Sequence, residues 1–284
     1  MKLAVLSDIH SNYEAFKSCI DYLENRKVDA YVLLGDYVGE LPCPEKTLRL
    51  IKRLSGKRKC YIIRGNKEEY IINGLGDINP EWDGYPSVVG MIRYGFEHAT
   101  EEDVEFFKSL PTTDTVKIKG YPPIRICHGS TDSVKGYIER KPADFFDSIE
   151  EKYILCGHTH QAKVTYIADK VIWNPGSVGL SGSGEMIARC MILHGSKQEW
   201  RPEYLEIPYD IDAEIKSMRN EGLYYIAPYW SVVTEDLLKG GNVDHLSVLQ
   251  RAMTLCENET GHCEWPKIPE RFMRRAVDEL IYME

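Results

Sequence analysis

The chain has 284 residues, 43% hydrophobic and 28% charged, with 35 basic and 44 acidic residues and a net charge of −9. This suits a globular protein of one large domain, or one domain with a sizeable appendage, whose core needs no disulfide staples. An acidic chain gains little from counterion release, so no nucleic-acid polymer and no membrane is expected as a partner, and no stretch approaches the eighteen or so apolar residues of a membrane span.

"KLAVLSD" reads as a buried strand over Leu3 to Ser7. The next segment has apolar residues at Phe16, Cys19, Ile20 and Leu23, a helical spacing. "DAYVLLGD" is a second strand, "PEKTLRLIKRLSG" a helix with Pro at its start and Gly past its end, and "KCYIIRGN" a third strand. The first third is therefore β-α-β-α-β, the pattern of a largely parallel sheet covered by helices. "INGLGDINPEWDGYP" reads as a loop, and "TEEDVEFFKSLP" as a helix capped by Thr100 with Asp103 three residues on. Strands recur in "PIRICHG", "KYILCGHTH", "KVTYIADKVIWNPG", "EMIARCMILHG" and "EWRPEYLEIP". The third of these is a hairpin turning near Ala168 and Asp169, and this half is expected to form a more antiparallel sheet. After Pro208 the pattern becomes helical in "DIDAEIKSMRNEG", "YWSVVTEDLLKGG", "DHLSVLQRAMTLCENE" and "PERFMRRAVDELIYM", a tail expected to pack on the core.

None of the 8 cysteines falls in a CxxC pair. Cys127 and Cys156 read as buried thiols, and the spacing of Cys256, His262 and Cys263 matches no defensible disulfide or metal pattern. A reducing, cytoplasmic location is expected, since the apolar run in "MKLAVLSDIH" is too short for a signal peptide.

Polar residues follow five strands: Asp8 and His10, Asp36, Asn66, His128, and His158 with His160. Each alone has an ordinary explanation as a cap, a turn residue or a surface histidine. Together they matter, because the carboxyl ends of strands in one α/β sheet lie side by side and collect ligands. Mixed His, Asp and Asn donors suit Mn, Fe, Zn, Co or Ni, and are too nitrogen-rich for calcium. Seven ligands exceed the needs of one ion with an open position, whereas two divalent metal ions about 3.5–4 Å apart, sharing a carboxylate, use them well.

The ordered series "DIH", "GD", "GN", "CHG" and "GHTH", with "NPGSVG" after Trp173, resembles the calcineurin-like metallophosphoesterase superfamily, in its small bacterial and archaeal phosphodiesterase branch. The likeness covers residues 1 to 208 and implies an α/β (α+β) fold, a four-layer sandwich of two mixed sheets with helices outside. Residues 209–284 would then be a helical C-terminal extension packed on the core. The resemblance implies that Asp8, His10 and His160 hold one metal, that Asn66, His128 and His158 hold the other, and that Asp36 bridges them. Asn12 matches a residue near the active site of relatives, although Ser11 replaces the usual glycine. The implied activity is hydrolysis of phosphodiester or phosphoanhydride bonds, with hydroxide held between the metals attacking phosphorus in line and no covalent intermediate. "IPYDIDAEI" and the residues after "GN" also resemble relatives that include asymmetric diadenosine tetraphosphate hydrolase, which points to a phosphorylated small-molecule or nucleotide substrate. The alternatives are a protein or small-molecule phosphomonoesterase and a non-catalytic metal-bound scaffold.

In many phosphatases of the superfamily the residue after "GN" is a histidine that protonates the leaving group; here it is Lys67. With a pKa of about 10.4, lysine is a poor proton donor near neutrality, and Glu68 and Glu69 beside it would raise that pKa further. It can still place positive charge beside a departing oxygen, which favours leaving groups that are already stable anions. Arg64 before the turn is either a phosphate ligand or a surface residue. The aromatic run Tyr224 to Trp230 reads first as a packing surface and second as a base-stacking platform, and the basic "WPKIPERFMRRA" as a solvated helix face.

Overall fold

The computed structural model describes residues 1–74, 83–180 and 186–283. β1 (Lys2–Leu6), α1 (Tyr13–Asn25), β2 (Ala30–Leu33), α2 (Pro44–Ser55) and β3 (Cys60–Ile62) open the chain, followed by α3 (Asn66–Ile72), α4 (Pro86–Glu97) and α5 (Glu101–Ser109). Then come β4 (Thr113–Val116), β5 (Ile124–Cys127), β6 (Tyr153–Leu155), β7 (Lys163–Ile167), β8 (Lys170–Asn174), β9 (Ala188–Gly195) and β10 (Trp200–Ile207). The tail is α6 (Ile211–Asn220), α7 (Leu223–Ile226), α8 (Pro228–Leu238), α9 (His245–Thr260) and α10 (Glu270–Val277).

The strands form two five-stranded sheets, ordered β10-β9-β1-β2-β3 and β4-β5-β6-β8-β7. β1, β2 and β3 run parallel, and so do β5, β6 and β8. The expectation of a more antiparallel second half needs correcting. β6 is buried along its length, the mark of a central parallel strand. The β9-β10 hairpin leaves that half altogether and pairs β9 antiparallel with β1, Leu3 opposite Leu193. Both sheets are therefore mixed. The β7-β8 hairpin turns at Ala168 and Asp169, with Ala168 at φ 53°.

The inner faces of the two sheets meet through Val5, Val32, Ile126, Leu155, Trp173 and Leu193. α1 and α2 cover the outer face of the first sheet, burying Phe16, Leu23, Leu48 and Ile51. Two short 3₁₀ turns, Ile138–Arg140 and Ala143–Ser148, cover the second through Ile138 and Phe146. α4 was not foreseen, although Pro86 at its first turn and buried Val88, Met91 and Tyr94 carry its signal. Part of the expected loop before it, residues 75–82, lies outside the described residues.

α4 is also where the tail docks: Val88, Met91 and Tyr94 share one apolar cluster with Met218, Leu237, Leu255 and Phe272. In the basic segment Phe272 and Met273 face inward, while Arg271 and Arg275 pair with Glu259 at the surface. All eight cysteines are free. Among the described residues no helix is long and apolar enough to cross a membrane.

Glu214 on α6 lies 1% exposed against α1, with a long contact from the Glu14 amide at 3.4 Å and no partner for Oε1 among the described residues. Burial pushes its carboxyl up to about 8. A raised carboxyl costs nothing below the unfolded value near 4.5 and costs stability as pH rises through 8. Glu214→Gln should therefore raise Tm by several degrees at pH 9 and change it little at pH 5, measured by thermal melts across that range.

Candidate metal centre

The seven predicted ligands all lie at or just after strand ends, and the turns that carry them are unusual. Asp8, His10, Ser11, Asp36, His158 and His160 all have positive φ, between 51° and 66°. For residues with a Cβ such backbone costs on the order of 1 kcal/mol each and persists only where the surroundings over-determine it. Here the turns are stitched together. The Asp8 amide donates to Gly35 O (3.1 Å), His10 to Asp36 O (2.9 Å) and Ser11 to Tyr37 O (2.9 Å), joining the β1 and β2 ends. The His158 amide donates to both carboxylate oxygens of Asp8 at 3.1 Å, joining the two sheets.

Side chains complete the cluster. Asp8, His10 and His160 form one group of mutually close donor atoms, and Asp8, Asp36 and His128 another. Asp36 Oδ2 lies 3.4 Å from His128 Nε2 and 3.9 Å from His10 Nε2. Asn66 Oδ1 is 3.2 Å from His128 Nε2. Asp8 Oδ1 reaches His160, His128 and His10 at 3.5, 3.9 and 4.0 Å. The ring of His158 stands at the margin, edge-on to His128 and 5.1 Å from the Tyr137 ring.

The imidazole tautomers follow from their outer partners. His128 Nδ1 faces Leu34 O at 2.8 Å and His160 Nδ1 faces Leu180 O at 3.0 Å, both acceptors only. His10 Nδ1 lies 2.6 Å from Glu40 Oε2, a carboxylate oxygen that can only accept. With Nδ1 as donor in each case, the Nε2 lone pairs turn inward, and those of His10 and His160 meet 3.0 Å apart. Two facing lone pairs beside buried carboxylates repel unless a cation lies among them, so this donor set fits divalent metal ions. The electrostatics agree. Burial opposes protonation of His128, yet Asp36 and Asp8 push its pKa up to about 10: the cluster calls for positive charge. Burial likewise opposes ionisation of Asp36, and His128 and His10 reverse that and lower its pKa.

Four buried residues outside the predicted ligand set support the centre. Glu68 accepts from the amides of Asp36 (2.9 Å), Tyr37 (2.7 Å) and Gly65 (2.7 Å), clamping the Asp36 and Asn66 turns together. Glu40 holds His10 on one side and the Lys67 ammonium on the other. Ser177, in "NPGSVG", donates to Asp8 O at 2.8 Å, while Asn174 Nδ2 bonds Gly157 O at 2.7 Å, so that motif braces the Asp8 and His158 turns. The only signals for Glu40 and Glu68 were single carboxylates near strand ends. At Gly65 an added Cβ would collide with Asp36, and at Gly39 with His10, which accounts for glycine at both.

The three other candidates have these partners. Arg64 pairs with Glu69 at 2.6 Å and caps Leu110 O at the end of α5. Asn12 caps α1 through Ala15 N (3.0 Å) and bonds Gly179 O (2.8 Å). Lys67 donates its amide to Asp36 Oδ1 at 2.9 Å. Burial alone would lower its ammonium pKa, but Glu40 and Asp36 more than offset this and raise it; Glu68 and Glu69, expected to do so, are turned to other partners.

Two face-to-face mixed sheets with a histidine–carboxylate cluster at their strand ends define a metal-site α/β protein. A family model for the calcineurin-like phosphoesterase superfamily domain matches residues 1–198, and the chain belongs to that superfamily. The family uses divalent metals. An uncharacterised protein of Methanocaldococcus jannaschii is 27% identical over 226 residues, covering 74% of this chain and 88% of that protein. A hypothetical protein of Pyrococcus horikoshii OT3 shares the fold, with a TM-score of 0.68 at 21% identity over 84% of this chain and 98% of its own. A 65-residue stretch is 40% identical to the symmetrical bis(5'-nucleosyl)-tetraphosphatase of Wigglesworthia glossinidia brevipalpis, covering 22% of this chain and 23% of that enzyme.

Glu68→Ala should leave three buried amides without an acceptor, at about 3 kcal/mol or more, and lower Tm by roughly 10 °C. Glu68→Gln, which keeps one acceptor oxygen, should fall between; equal melting of all three proteins would dismiss the clamp.

Proposed function

We propose that the chain is a binuclear-metal-dependent hydrolase of phosphodiester or phosphoanhydride bonds, acting on nucleotide-like substrates. The observation that carries this is the inward convergence of His10, His128 and His160 Nε2 on Asp8 and Asp36. In this proposal Asp8, His10 and His160 hold one cation, Asn66, His128 and His158 the other, and Asp36, standing between His10 and His128, bridges them. Two such cations supply an activated water near neutral pH and neutralise phosphoryl oxygens, permitting in-line attack. Residues 1–208 are proposed to carry the chemistry and 209–284 to extend it.

The chain's own residues shape what can react. Glu40 orients His10, and a carboxylate in that position raises the basicity of the ring as a ligand. Glu40 also holds the Lys67 ammonium as a fixed positive charge beside the centre rather than as a proton donor. A lysine held as a cation is a poor proton donor near neutrality, so leaving groups that depart as stable anions are favoured: aryl diesters, phosphoanhydrides and dinucleoside polyphosphates. The partial likeness to a bis(5'-nucleosyl)-tetraphosphatase points toward nucleotides.

With added manganese, bis-p-nitrophenyl phosphate and diadenosine tetraphosphate should be hydrolysed at least tenfold faster than phosphoserine, and chelation should abolish turnover. Asp36→Asn, which keeps the acceptor for the Lys67 amide, should lower kcat/KM at least 100-fold and leave Tm within a few degrees. Unchanged turnover in that variant would reject the centre as catalytic. A dominant rate on phosphoserine would replace this proposal with a phosphomonoesterase.

A further inference from the structure

α3, α4 and the tail enclose a cavity of about 260 Å³ that none of the predicted ligands lines. Its walls are apolar and aromatic: Met91 on α4, Tyr70 on α3, Trp230 on α8, Leu249 on α9, and Trp265. Its charged lining is Glu40, whose side chain contacts His10, and Lys67, whose backbone amide donates to Asp36. The cavity is thus greasy on most sides and charged where it borders the phosphoryl site. Its volume is at the small end for ligand pockets, enough for one ring system and not for a whole dinucleotide.

Two details indicate what fills it. Gly95 is a buried residue of α4 lining the cavity, yet a Cβ added there would meet nothing within 4 Å. A buried glycine facing open space leaves room that even an alanine would take. Trp230, one wall of the cavity, stacks against the His245 ring at 4.4 Å, which fixes the plane of its indole. A nucleobase supplies a flat ring for such aromatic walls. An alkyl chain does not.

We propose that this cavity receives the nucleobase of the departing nucleotide, with Trp230 as an aromatic wall and Gly95 setting its size. The assignment rests on the phosphoesterase proposal above and makes the helical tail part of the substrate site.

Adenosine has no phosphate to engage metals, so it probes the cavity alone. Titrated into the metal-free full-length protein, it should quench tryptophan emission saturably. With manganese present, it should compete with bis-p-nitrophenyl phosphate. Gly95→Phe should weaken adenosine at least tenfold in both assays while leaving manganese binding, measured calorimetrically, within twofold. Trp230→Ala, which removes an aromatic wall, should weaken it several-fold. If Gly95→Phe does not fold, Met91→Trp fills the same space. Ester turnover with no response to adenosine would overturn the cavity assignment and leave the phosphoesterase proposal standing. Saturable adenosine quenching with no turnover of any ester would overturn the leaving-group role and the phosphoesterase proposal together. Quenching by hexanol equal to that by adenosine would reduce the cavity to an apolar filler site.

Discussion

Asp8 and Asp36 stand buried at the ends of adjacent parallel strands, β1 and β2, and most of what surrounds them answers the problem of two negative charges kept out of water. Burying a carboxylate is tolerable only where it is paired and fully hydrogen-bonded. The pairing comes from the opposite sheet, as His128 and His160, and from the same sheet, as His10. The hydrogen bonds come from the backbone: the His158 amide to Asp8 and the Lys67 amide to Asp36. The two sheets are thus tied at one point by charge, and the left-handed turns there are strained conformations held by that tie.

A second tier of buried carboxylates keeps this arrangement rigid. Glu68 gathers three amides from two strand-end turns, and Glu40 fixes His10 from behind. The same Glu40 engages Lys67, which answers why a lysine can occupy a position where a proton donor is common. Its charge is bound into the network that aligns a ligand, and it borders the cavity closed by the tail. The helical extension borders the same side chains: Trp230 lines that cavity with Glu40 and Lys67, and burial holds the His245 imidazole stacked on it down to about 4.

Much of this was legible in residue order. The β-α-β-α-β opening, the Thr100 cap with Asp103, the Ala168 turn and the four long tail helices correspond to the structure because apolar period, caps and turn residues are local signals. The clustering of Asp8, His10, Asp36, His128 and His160 was legible too, because each follows an apolar strand. α4 was passed over beside a Gly/Pro-rich stretch, and β9 and β10 were assigned to the wrong sheet, since strand partners are chosen by long-range pairing that no local pattern encodes. Arg64 and Asn12 sit next to the ligands in sequence yet turn toward α5 and α1, because adjacency along a chain does not set side-chain direction.

By itself the sequence determined the donor set, a run of Asp, His and Asn at strand ends whose chemistry suits divalent metal ions. Only the tertiary structure decided which nitrogen of each histidine faces inward. That choice depends on Leu34, Leu180 and Glu40, acceptors distant from those histidines in the chain or invisible as partners until folded. It also decided that α8 and α9 close a cavity against Lys67, because apolar helix faces remote in sequence find one another only when their burial is settled across the whole molecule.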